Sequence, residues 1–148
     1  MSLKEAITAD MKDAMRAKDS ARLGAIRMLQ AAIQRREVDE RTTLDDTQVL
    51  AVVEKIIKQS RDAADQFEKA GRQDLADKEK ADIAVWQHYL PEPLGEAELD
   101  KLITDAVAAS GASSMKDMGK VMGILKPKIQ GRADMGAVSA RIKAQLGG

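Results

Sequence analysis

The stretch from Leu44 to Gly71, LDDTQVLAVVEKIIKQSRDAADQFEKAG, decides the fold class. Asp45 followed three residues later by Gln48 is a capping-box pattern, with Asp in place of the usual Ser or Thr. Leu44 and Val49 stand at the hydrophobic-staple positions around it. Val49, Val52, Val53, Ile56, Ile57, Ser60, Ala64 and Phe67 then keep to one broad stripe of helical period. Val and Ile lean weakly towards strands, and the spacing outweighs that lean. Gly71, after Ala70, ends the helix because Gly adopts a left-handed C-terminal turn without steric cost.

The same period extends in both directions. Upstream, Leu3, Ile7, Met11 and Met15, with Ala14 beside them, make one apolar stripe and one helix. Asp19 can cap a second helix carrying Leu23, Ile26, Leu29 (or Met28) and Ile33, followed by a charged loop through Val38, Asp39, Glu40 and Arg41. Downstream, Leu75, Glu79, Ile83, Trp86 and Leu90 fit a fourth helix. Pro91 and Pro93 fit no helix interior and mark a lobe boundary. Leu94 and Leu99, around Gly95 and Glu98, open a fifth helix through Ile103 and Ala106 to Ser110, which Gly111 stops. Ser113 or Ser114 can cap a sixth through Met118, Val121, Met122 and Leu125, which Pro127 should kink or end. Gly131 marks a turn, and a last helix runs from about Asp134 through Val138 and Ile142 to Leu146. The expectation is an all-α chain of about seven helices in two lobes, a four-helix lobe over 1–90 and a three-helix lobe over 94–148.

Composition narrows the function. With 44% hydrophobic residues the 148-residue chain has apolar side chains enough for a core, which excludes wholesale disorder. Aromatics amount to 2%, too few for the stacking platforms of RNA-recognition motifs or OB-folds. Cys is absent and His88 is the sole histidine, which removes thiol nucleophiles, disulfides and Cys- or His-based metal clusters. No apolar run approaches the ~18–20 residues of a membrane span. The N-terminus interleaves Lys4, Glu5, Asp10, Lys12 and Asp13 with apolar residues, unlike a signal peptide. A cytoplasmic protein with no membrane partner is expected.

Net charge is zero but unevenly spread. Residues 12–36 hold seven basic side chains against two acidic, 91–114 one basic against five acidic, and 115–148 seven basic against two acidic. Such basic segments can serve a polyanion even in a neutral chain, although solvated helix faces look the same in sequence.

Candidates for chemistry are weak. Ser113, Ser114 and Lys116 superficially suggest a Ser–Lys pair, but a helix cap beside an exposed Lys accounts for them. His88 has no sequence neighbour that would make it a base, and Asp62 and Asp65 stand among Lys58, Arg61 and Lys69, where helix-face ion pairing accounts for them. No Walker loop or dinucleotide fingerprint is present. No catalytic residue, cofactor or metal site is predicted. More informative are Gly119 and Gly123, one turn apart inside a helical pattern, each costing up to ~1 kcal/mol relative to Ala. They make a smooth face that suits either close helix packing or close approach of a phosphate backbone. Lys116, Lys120, Lys126, Lys128 and Arg132 crowd the same segment. Gly131, before the last helix, could offer backbone N–H groups to an anion.

Three segments carry a resemblance: DMKDAMRAKDSARLGAIRMLQAAIQRREVD (10–39), QFEKAGRQDLADKEKADIAVWQHYLP (66–91) and DMGKVMGILKPKIQGRADMGAVSARIKAQL (117–146). Together they resemble the GatB/YqeY family from about Leu3 to Leu146. The resemblance implies two all-helical lobes, the second similar to the tail domain of GatB, the tRNA-handling subunit of glutamine-dependent tRNA amidotransferase. Related domains are appended to some glutaminyl-tRNA synthetases. It implies tRNA association, with nearest matches at Gly119, Lys120, Gly123, Gly131 and Arg132. The kinase-like cradle and the amidase subunit that perform the amidation have no counterpart in this sequence. The expectation is therefore a translation-associated module that binds the tRNA backbone at Lys116, Gly119, Lys120, Gly123, Lys126, Lys128, Gly131 and Arg132 rather than catalysing. The alternatives are a module docking on an amidotransferase subunit or aminoacyl-tRNA synthetase, or a part of the amidotransferase (a carbon–nitrogen ligase with glutamine as amido-N-donor).

Overall fold

A computed structural model of the chain describes residues 2–147. Among them are seven α-helices and one short 3-10 turn, with no strand. The chain divides into two compact units, Met1–Leu90 and Pro91–Gly148. No helix among the described residues is long and apolar enough to cross a membrane.

The first unit holds α1 (Leu3–Arg16), α2 (Ser20–Glu40), α3 (Asp46–Lys69) and α4 (Gln73–Gln87). The capping box that opens α3 is formed in full: Asp45 accepts from the Gln48 amide and Gln48 returns a bond to the Asp45 amide. Asp19 caps α2 through the Arg22 amide. Gly71 ends α3 with φ +74°, a conformation that favours glycine. Ile7, Ile26, Leu29, Val49, Val53 and Trp86 are buried together at the centre of this unit. Glu37 fastens its N-terminal end, accepting from Lys4 of α1 at 2.6 Å and from the Leu44 amide at 2.9 Å.

Two expectations fail here. The charged loop expected through Val38–Arg41 is helix as far as Glu40, with Arg41 as its left-handed C-cap. An i,i+4 ion pair, Arg36 to Glu40 at 3.1 Å, and the anchored Glu37 support this last turn. Met15, placed on the apolar stripe of α1, is 49% exposed, because Ala14 takes the inward position beside it.

The second unit holds α5 (Glu96–Ser110), a 3-10 turn (Met115–Asp117), α6 (Met118–Ile129) and α7 (Met135–Gln145). Its core is Leu99 and Ile103 of α5, Val121, Leu125 and Ile129 of α6, and Val138 and Ile142 of α7. Neither Ser113 nor Ser114 caps α6: the 3-10 turn intervenes, and the Ser113 amide donates to Asp117. Pro127 neither stops α6 nor is buried in it; the helix runs on to Ile129.

Candidate nucleic-acid interface

The face of interest is the outer side of α6. Val121, Leu125 and Ile129 recur every four residues and fix the inner side of the helix in the core. That orientation turns Gly119 and Gly123 outward, and both are exposed. A Cβ at either position would meet nothing within 4 Å. The close helix packing that the glycine spacing allowed is therefore absent from their surroundings. What remains is a strip of bare helix backbone facing outward, kept at the cost glycine imposes on a helix interior.

Lysines border the strip. At ~100° per residue, Lys120 and Lys126 lie about 60° to either side of Gly123. Lys116, in the 3-10 turn, precedes them at the same end as Gly119. All three are exposed. Lys120 is 3.9 Å from Asp117, and Lys116 and Lys126 form no ion pair among the described residues. Pro127 adds one more feature. It lacks the N–H that the Gly123 carbonyl would receive at i+4, so that carbonyl loses its ordinary helical donor in the middle of the strip.

The other candidate residues stand apart. Lys128 is exposed but about 140° round the helix from Gly123, beyond Lys120 and away from the strip. Gly131, at φ +76°, forms the turn after α6. Arg132 is half-buried and already engaged: its Nε donates to the Glu92 carbonyl at 2.9 Å, and its own carbonyl accepts from the Leu94 amide at 2.8 Å. It holds the segment that leads into α5 against the turn that follows α6. The N–H groups at the start of α7 are likewise taken, since Asp134 accepts from the Gly136 and Ala137 amides. The structure thus gathers Gly119, Lys120, Gly123 and Lys126 on one face of α6, with Lys116 exposed in the turn just before it, and leaves Lys128, Gly131 and Arg132 outside it.

The weaker candidates resolve simply. His88 is exposed at the end of α4, its ring edge-on to Tyr89. Asp62 and Asp65 form no ion pair with their own helix; from this stretch Glu68 pairs instead with Lys80 of α4, which raises the Lys80 pKa. Among the described residues no group of three or more His, Cys, Asp or Glu could hold a metal ion.

The sequence pattern of the YqeY-like protein family matches residues 4–146. The chain belongs to this family. Among curated proteins, this YqeY-like chain is similar to Altered inheritance of mitochondria protein 41, mitochondrial, of Pyrenophora tritici-repentis. The two are 34% identical over 144 residues, which is 95% of this chain and 79% of that protein. It is similar also to the proteins of the same name in Lachancea thermotolerans (31% identical over 93% of this chain and 77% of that protein) and Vanderwaltozyma polyspora (30% over 74% and 63%). These relatives are named as mitochondrial proteins, which overturns the expectation of a cytoplasmic protein drawn from the N-terminal charges and the lack of a membrane span.

Proposed function

We propose that this YqeY-like protein binds tRNA through the outer face of α6, holding the phosphate backbone without catalysing a reaction on it. One observation carries the reading: Gly119 and Gly123 leave open space on an exposed helix face bordered by Lys116, Lys120 and Lys126. A phosphate strand can approach such a face closely while the ammonium groups on either side neutralise it. With so few aromatics, affinity comes from charge rather than from stacking on bases. The sequence resemblance to a tRNA-handling tail domain points the same way.

The test is titration of the purified full chain with total tRNA at two salt concentrations. Each neutralised phosphate contributes roughly 0.7–0.9 to the slope of log affinity against log salt. Replacing Lys116, Lys120 and Lys126 together by Ala should weaken binding and flatten that slope by about two to three. The same treatment of Lys58, Arg61 and Lys69, exposed on α3, serves as the control and should change little. Absence of tRNA binding by the unaltered chain at low salt refutes the reading.

A further inference from the structure

α2 is apolar on two sides. Its inner stripe of Ala25, Ile26, Leu29 and Ile33 is buried, whereas Met28 is 50% exposed. Met28 stands over a depression of about 250 Å³ that Ile56, Gln59 and Trp86 also line. Ile56 and Gln59 line a second depression as well, of about 390 Å³, between α2 and α3. The two adjoin at these shared residues along the α2–α3 junction, a grooved surface with Ala32, Val52 and Ile56 among its apolar lining.

The charges on its walls select an occupant. Arg35 of α2 and Lys55 of α3 both line the groove, both are exposed, and neither forms an ion pair among the described residues. Arg36, by contrast, is neutralised by Glu40 and also donates to the Gln48 carbonyl. The remaining carboxylates stand at the ends: Asp39 near the α2–α3 turn, and Glu79, which accepts from Ser60, at the other end. An apolar floor with a free cation on each wall complements a helix whose apolar stripe is edged by carboxylates. The alanines Ala32 and Ala51 let such a helix settle close to the junction. A nucleic-acid strand fits less well, because its phosphates would face apolar carbon along the floor, where an amphipathic helix lays its own apolar stripe.

We propose that the α2–α3 groove docks an amphipathic, acid-flanked helix of a protein partner. This surface is separate from the α6 face, and its test does not depend on RNA binding.

The probe is a capped synthetic helix of about 18 residues with Leu along one stripe and Glu on both flanks, compared with the same peptide carrying Lys for every Glu. Binding is read from the fluorescence anisotropy of a dye on the peptide, titrated with the full-length protein, because the sole tryptophan, Trp86, is almost fully buried. The Glu peptide should bind at least about tenfold more tightly than the Lys peptide at low salt. R35E/K55E should reverse that preference, and Lys116, Lys120 and Lys126 changed together to Ala should leave it intact. Should R35E/K55E fail to fold, R35Q/K55Q is read in its place and should abolish the preference. Equal affinity for both peptides, or none for either, overturns the proposal. So does an R35E/K55E protein that loses tRNA affinity while keeping its peptide preference, which would assign the groove to RNA.

Discussion

The indole N–H of Trp86 donates to the backbone carbonyl of Ala25 at 2.8 Å, joining α4 to α2 across 61 residues of sequence. Both residues are almost fully buried, so the bond is shielded from water. Trp86→Phe keeps much of the apolar contact but removes the donor and leaves a void beside the carbonyl. The expected loss is about 2–3 kcal/mol of unfolding free energy, measured by urea denaturation followed by circular dichroism because the fluorophore is gone. A loss near zero would show that the indole packs without contributing through its N–H.

The Glu37 carboxyl gives the first unit a pH dependence. The Lys4 ammonium, and then the Leu44 amide, hold its pKa below the ordinary 4.5. A carboxyl with a lower pKa folded than unfolded stabilises the fold fully above the unfolded value and progressively less as pH falls through the folded one. Glu37→Gln should therefore be less stable than the parent near pH 7. The gap should narrow as pH falls below 4.5 through the lowered folded value, as the parent's own carboxyl takes up its proton. Thermal melts of both proteins across that range check it. A gap that persists in acid would assign the loss to shape rather than charge.

Arg132 separates structural from surface cations in the second unit. Replacing it by Ala breaks the bond to the Glu92 carbonyl and loosens the turn whose backbone receives the Leu94 amide. Hydrogen exchange at the Leu94 amide should accelerate, with about 1–2 kcal/mol of local stability lost. Lys126→Ala, on the exposed side of α6, should stay within about 0.5 kcal/mol of the parent. Equal effects from the two changes would remove the distinction between them.

How far these features are legible in sequence varies with their range. The caps at Asp19 and Asp45 and the turn at Gly71 are local, made within a few residues, and all three are readable from spacing alone. The end of α2 is misread because Val38–Arg41 look like a solvated loop, while Glu37 is anchored by Lys4 and Leu44, the former 33 residues away. Arg132 reads as one more cation in a basic run, and only the fold reveals that the Glu92 carbonyl, 40 residues upstream, occupies it. The α2–α3 groove escapes the sequence for a different reason. Met28 and Leu29 are adjacent and equally apolar, and the choice of which faces inward is made by the packing of the whole unit.

The glycine face of α6 allows stability and binding to be driven in opposite directions. Gly119 and Gly123 are helical, outside the left-handed region, and have room for a Cβ. Nothing in the folded protein opposes Ala at either position, so each Gly→Ala change should stabilise the helix by about 0.5–1 kcal/mol through backbone propensity. If a phosphate backbone lies against this strip, the same two methyl groups intrude where it must come closest. The G119A/G123A protein should then melt higher than its parent and bind tRNA more weakly, with its salt slope little changed because every lysine is still present. Ordinary surface changes that touch nothing do not produce that combination. A protein that gains stability and keeps full tRNA affinity would show that the lysines act without close approach, and the glycines would then need another explanation. A protein that loses stability would mean instead that the open space at these positions is filled by something in solution.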